Sequence, residues 1–153
     1  MVATTKKRAS KKTSVSGTIR PHLRPIGQIR SVTKTRAQAP KQGLEGAPDV
    51  WLEVDPGFAE CLDGLKAGDE IIVLTWLHQA RRETMKVHPR SDPQHRLLGV
   101  FVTRSPDRPN PIGLHPVTIR RIVKNRLRVG PIEAIDGTPV VDIKPVLCPT
   151  QKT

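Results

Sequence analysis

The sequence predicts a mainly β protein: a small closed or nearly closed β-barrel with one short helix and long polar loops. Three observations carry that expectation. Short apolar, β-branched runs recur along the chain, separated by Gly, Pro, Asn and Asp turn signals. Only one stretch has the capping and composition of a helix. No Gly-x-Gly-x-x-Gly follows a strand, and strands do not alternate with long helices, which argues against a doubly wound nucleotide-binding sheet.

The elements follow in order. Residues 23–32 read as the first strand, with Gly27 inside it as a bulge or a point of close approach. Residues 36–48 form a polar loop holding Pro40, Gln42, Gly43 and Gly46. Residues 50–54 are a short strand. Asp55 and Pro56 supply an N-cap and a proline at the first helical position. They open a short helix over 58–65, stopped near Gly64 and Gly68. Residues 70–77 are β-branched and apolar, as a buried strand requires. Residues 81–94, with His88-Pro89 and Asp92-Pro93, form a loop, and 96–103 a strand. Residues 115–123 and 126–129 make a hairpin turning at Lys124-Asn125. Asp136-Gly137 is another turn, and 140–146 the last strand. There is no internal repeat.

A chain of 153 residues fits one domain with a core that needs no staple. The expected organisation is a basic tail over 1–20 and a barrel domain over 21–153. Cys61 and Cys148 form neither a disulfide framework nor a metal pair, so reduced thiols in a cytosolic protein are expected. No apolar run approaches a membrane span, and the N-terminus lacks a signal-peptide core. The expectation is a cytoplasmic protein with no membrane partner. His78, His88, His95 and His115 are too scattered for a ligand motif, so no metal is expected.

The net charge is +12, and Lys6, Lys7, Arg8, Lys11, Lys12 and Arg20 place half of it in a tail without acids. Such a segment is expected to be disordered unless bound. It reads either as a phosphate-attracting arm or as a solubilising tail. The aromatic residues Trp51, Phe58, Trp76 and Phe101 do not form a regular stacking platform, which disfavours a single-strand RNA module of that type.

The most informative stretch is residues 99–113, where an apolar run over 97–102 meets a loop holding Arg104, Arg108, Asn110 and three prolines. Each proline fixes its own φ and restricts the residue before it. Two guanidinium groups and a carboxamide are therefore held stiffly, as an anionic or nucleotide-like ligand requires. The plainer alternative is a Pro-rich connection with solvated arginines.

This stretch, GVFVTRSPDRPNPIGLH, resembles the signature of the TsaA-like (YaeB-like) tRNA methyltransferases. Three further blocks follow the same pattern in the same order: Pro25 to Ile29, Thr75-Trp76-Leu77-His78, and Asp136 to Pro145. The likeness covers about residues 23–147. It implies a β-barrel that uses S-adenosyl-L-methionine, acts on tRNA and assembles as a homodimer. The implied reaction is methylation of N6 of N6-threonylcarbamoyladenosine beside the anticodon. The implied cofactor contacts are Pro40, Lys41, Gln42, His78, Gln79, Arg104, Leu114, Glu133, Ala134, Ile135 and Asp136. Arg108 and Asn110 would then face the acceptor nucleotide.

Physical roles can be attached to some of these. Asp136 or Glu133 would accept hydrogen bonds from ribose hydroxyls or an ammonium group. Arg104 would hold the methionine carboxylate or order its own loop. Asp136 is equally an ordinary turn residue, and His78 an ordinary strand-end histidine. No residue is marked by spacing as a general base.

His115 stands where the family has serine, and Val146 where it has an aromatic residue. Longer members carry a C-terminal domain that helps engage tRNA, so the likeness constrains the cofactor more closely than the substrate. The alternatives are a non-catalytic S-adenosyl-L-methionine- or RNA-binding barrel, or a methyltransferase with another acceptor.

Overall fold

Inward-facing β-branched side chains build the core. In the computed structural model, which describes residues 19–147, eight strands form. They are β1 (Gly27–Arg30), β2 (Val50–Val54), β3 (Glu70–Trp76), β4 (Lys86–Val87), β5 (Leu98–Gly99), β6 (Ile112–Val123), β7 (Arg126–Gly130) and β8 (Pro139–Pro145). Six close into an antiparallel barrel in the order β1-β2-β7-β6-β3-β8, and β4 and β5 pair separately. Alternation puts Leu52, Ile71, Val73, Ile119, Leu127, Val129 and Val140 inside, all nearly inaccessible. Closure leaves the six staves without a free edge.

The barrel has two unlike ends. Neighbouring staves run antiparallel, so β1, β3 and β7 finish where β2, β6 and β8 begin. That end carries the segments 31–49, 77–111 and 131–138. The other end is closed by the Lys124-Asn125 turn and the 55–69 connection. The long polar loops are thus gathered at one mouth.

Several sequence expectations hold in outline and shift in detail. The hairpin turns at Lys124, whose φ is 54°. Its first strand begins earlier than expected, at Ile112. The first strand is trimmed to Gly27–Arg30, and Gly27 is a close-approach site: a Cβ there would lie 2.1 Å from the Glu53 carbonyl oxygen. The helix is a 3-10 helix over Pro56–Leu62 rather than 58–65. Pro56 starts it as expected, but the Asp55 side chain makes no capping bond.

The strand expected over 96–103 is the main correction. Only Leu98 and Gly99 pair as strand, and Val100–Val102 is a single 3-10 turn. The guanidinium of Arg108 takes the carbonyls of Val100 and Thr103, so those groups are not offered to a neighbouring strand. Val100 is buried while Phe101, 84% exposed, points outward. The basic tail expected over 1–20 falls almost wholly outside the described residues, as does Cys148. Cys61 is a free, exposed thiol. No described helix is long and apolar enough to cross a membrane.

Candidate functional site

The loops at the open end wall a broad cleft of about 1530 Å³. Its walls are tied across the chain by ion pairs and hydrogen bonds. Arg36 bridges to Asp107 at 3.1 Å and donates to the Gln79 carbonyl at 3.2 Å. Arg81 donates its backbone N–H to Asp107 at 2.8 Å. Lys41 donates to the Arg90 carbonyl, and Arg90 pairs with Glu45 at 2.7 Å. The 31–49 loop is therefore tied to the 77–111 loop at several points.

Ten of the eleven expected cofactor contacts line this cleft: Pro40, Lys41, Gln42, His78, Gln79, Arg104, Leu114, Glu133, Ala134 and Ile135. Ala134 and Ile135 are buried, whereas Leu114 is 41% exposed. Asp136 is the exception. Its carboxylate accepts the Ser31 N–H at 2.9 Å and pairs with Lys34 at 2.9 Å, in a shallow depression on the other side of the same turn. The Lys34 bond, with the Ser31 N–H, holds its carboxyl below the usual range.

The two arginines of the Pro-rich loop behave differently. Arg104 is exposed, lines the cleft, and makes no ion pair among the described residues. Arg108 also lines the cleft, but its guanidinium braces the 3-10 turn through the Val100 and Thr103 carbonyls. Its Nε is buried with no partner among the described residues. Asn110 is exposed, lies off the cleft lining, and accepts a long 3.4 Å contact from Arg82.

One buried network escaped the sequence reading. His115 is 3% exposed. Its Nε2 lies 2.8 Å from Thr75 Oγ1 and its Nδ1 2.9 Å from Glu133 Oε1. Burial pushes the Glu133 carboxyl up, but the hydrogen bond and charge of His115 outweigh it, leaving the carboxyl below its usual range. An ionised carboxylate only accepts, so Nδ1 carries the proton facing it. In the neutral ring, Nε2 then accepts the Thr75 hydroxyl. The signal was present: Gly113, His115, Val117 and Ile119 share inward parity on β6, and Thr75 shares it on β3. Gly113 stands opposite Thr75 in the ladder, and a Cβ there would lie 2.4 Å from Thr75 Oγ1 and 2.5 Å from His115 Nε2. Glycine is what lets the imidazole reach across.

The site therefore presents an ionised carboxylate at its base, apolar walls from Leu77, Leu114 and Ile135, and a cationic rim. No group of three or more potential metal ligands occurs among the described residues. Fold and site together define a ligand-binding β-barrel with its pocket at one mouth, suited to an amphipathic molecule that offers both hydroxyl or ammonium donors and an anion. The chain belongs to the tRNA-methyltransferase O N-terminal domain family, whose profile matches residues 28–150. An S-adenosyl-L-methionine-binding protein of Archaeoglobus fulgidus is 42% identical over 122 residues, covering 80% of this chain and 86% of the relative. A crystal structure of TrmO from Pseudomonas aeruginosa superposes with a TM-score of 0.68 at 35% identity, covering 84% of this chain and 57% of that one. A further TrmO crystal structure gives a TM-score of 0.70 at 35% identity, over 88% and 61%. This chain thus spans about three-fifths of the length of those solved proteins.

Proposed function

We propose that this protein binds S-adenosyl-L-methionine in the cleft and transfers its methyl group to tRNA, the acceptor being N6 of N6-threonylcarbamoyladenosine beside the anticodon. One observation carries the reading: segments far apart in sequence, each matching a family block or loop, converge on a single cleft. The names of the relatives support the cofactor, and the family description supports the substrate class.

The chemistry of the cleft suits the cofactor. Glu133 accepts the ribose hydroxyls, and His115 keeps that carboxylate ionised and oriented. Arg104 holds the methionine carboxylate. Leu114, Ala134 and Ile135 offer an apolar wall for the adenine, whose polar edge is read by nearby backbone groups. When bound, S-adenosyl-L-methionine supplies an electrophilic methyl group on a sulfonium, and no metal is needed. The chain contributes alignment and exclusion of water. The carbamoyl group makes the acceptor N–H more acidic than a plain adenine amine, so a strong general base is not required. Arg108 supports the reaction by keeping the loop that carries Arg104 in shape. The barrel domain over 21–153 is read as the catalytic unit and the basic tail as an arm toward RNA. Exposed Met85, Leu97, Phe101 and Val102, clustered on and beside the β4–β5 pair, are read as the contact surface of a homodimer.

The test is a calorimetric titration with S-adenosyl-L-methionine, followed by transfer of labelled methyl to tRNA with and without the threonylcarbamoyl group. Binding plus transfer only to modified tRNA is expected. Binding without transfer to any RNA leaves a cofactor-binding barrel, the activity recorded in the name of the Archaeoglobus relative. No binding removes the proposal.

A further inference from the structure

Outside the cleft, the barrel wall gathers cations that the chain scatters. β1, β2, β7 and β6 are consecutive staves. On their outer face Arg30 stands opposite Trp51, Trp51 opposite Arg128, and Arg128 opposite Arg121. Arg121 joins the row because β6 bulges there. The register slips between Ile119 and Arg121, so Arg120 and Arg121 both face out while Ile119 and Ile122 turn to the core.

The acids nearby engage Arg30 but leave Arg121 and Arg128 unmatched. Glu53 pairs with Arg30 at 3.0 Å and Arg126 at 3.3 Å, and Asp49 approaches Arg120 at 3.7 Å. Arg121 and Arg128, paired directly across the ladder, have no carboxylate within ion-pair distance among the described residues. Like charges placed opposite each other work against the sheet that holds them. The Arg126 guanidinium also lies 4.7 Å from the Trp51 ring centroid, an aromatic–arginine arrangement suited to nucleic acid.

The row reaches the turn that it shares with the cleft. Arg30, Trp51 and Arg128 border the depression that also holds Lys34 and Asp136. Ile135, the next residue in the same turn, lines the cleft. Staves lie about 4.8 Å apart, so the row extends roughly 15 Å, enough to meet several phosphates of one strand.

We propose that the outer face of β1, β2, β7 and β6 binds the sugar–phosphate backbone of the RNA whose nucleotide enters the cleft. This rests on the tRNA reading above and adds a docking surface to it. Arg121 and Arg128 meet phosphates, and Trp51, with the Arg126 guanidinium over its ring, contributes an aromatic–cation unit between Arg30 and Arg128.

The test is fluorescence anisotropy of labelled tRNA with the full chain over a salt series. Arg121→Glu/Arg128→Glu is expected to weaken binding more than about tenfold and to reduce the slope of log K against log salt by about two. Trp51→Ala is expected to weaken binding about fivefold with little change in slope. Arg128→Glu alone is compared with Lys144→Glu, the same charge reversal on β8 across the barrel from β7, where Lys144 pairs with Asp142 at 2.8 Å; Lys144→Glu is expected to cost less than about threefold and less than Arg128→Glu. S-adenosyl-L-methionine titration of every variant verifies that the cleft is intact.

Wild-type affinity in the double variant, or a loss in Lys144→Glu equal to that in Arg128→Glu, overturns the surface. A failure of the surface and a failure of the proposed function are separable. If methyl transfer occurs and the tRNA KM is unchanged in the double variant, the surface fails alone. If no transfer occurs but the double variant still loses tRNA, the surface stands alone.

Discussion

His115 Nδ1 lies 2.9 Å from Glu133 Oε1, and this contact joins strand β6 to the turn that floors the cleft. On its other side the imidazole meets Thr75 of β3 at 2.8 Å. The three residues couple two staves and a loop through one buried ring. Gly113 makes room for it, because any side chain at that position would collide with both neighbours. The carboxylate in the cleft is thus oriented by the barrel itself rather than by a flexible loop, the arrangement a binding site needs for preorganisation.

Truncating His115 leaves the Thr75 hydroxyl and the Glu133 carboxylate without their partner. His115→Ala is expected to destabilise by about 2–4 kcal/mol, read as a lower urea midpoint. Glu133→Gln retains the shape and removes the charge. It is expected to cost only about 1 kcal/mol of stability while weakening S-adenosyl-L-methionine at least about tenfold. Equal stability losses with unchanged affinity would assign the pair to folding alone.

Gly113→Ala places a methyl group against Thr75 and His115 side chains. A loss of about 1–3 kcal/mol is expected, measured by thermal and urea unfolding. Gly27→Ala meets backbone instead, the Glu53 carbonyl at 2.1 Å, and is expected to be the more damaging of the two. The reverse order would mean that β1 and β2 can separate more easily than the His115 network can shift.

Arg104 and Arg108 separate binding from loop order. Arg104→Ala is expected to abolish detectable cofactor binding in calorimetry, with stability within about 0.5 kcal/mol of the parent. Arg108→Ala releases the Val100 and Thr103 carbonyls and is expected to cost about 1–2 kcal/mol, with faster proteolysis in 99–113. Unchanged binding in Arg104→Ala would refute its role.

Asp107 and Glu133, together with the more exposed Asp136, contribute to the acid limit. Burial pushes the Asp107 carboxyl up, but the Arg81 N–H and the Arg36 guanidinium bring it below its usual range. Glu133 is lowered by His115 in the same way. The unfolded chain therefore takes up protons first as pH falls. The stabilisation is complete above an unfolded pKa of about 4 and is lost as pH falls through the lower folded values. Melting temperature is expected to be flat from about pH 8 to 6 and to decline below about pH 5. Asp107→Asn is expected to cost about 1–2 kcal/mol at neutral pH and to flatten the acid decline. An unaltered decline would place the acid sensitivity elsewhere.

Local periodicity was enough to read much of the barrel. The alternation in β2, β3 and β6, the turn at Lys124-Asn125 and the stop signals at Gly64 and Gly68 are properties of a few neighbouring residues, because strand parity and backbone conformation are locally encoded. The loops of the cleft were also legible, since their family blocks are contiguous in the chain.

Other features depended on partners distant in sequence. The stretch 96–103 has strand composition, yet Arg108 claims its carbonyls and curls it into a turn. Asp136 and Ile135 are adjacent, yet turn geometry sends one to the depression and the other to the cleft. Arg104 and Arg108 share a motif, yet one stays open and the other braces the loop. His115 is an isolated histidine in the sequence, and only barrel closure brings Thr75 and Glu133 to it. Local runs of residues specified most of the staves, the turns and the chemistry available. Register, the β6 bulge and closure decided which groups meet, because those depend on pairing across the whole barrel rather than on any local run of residues.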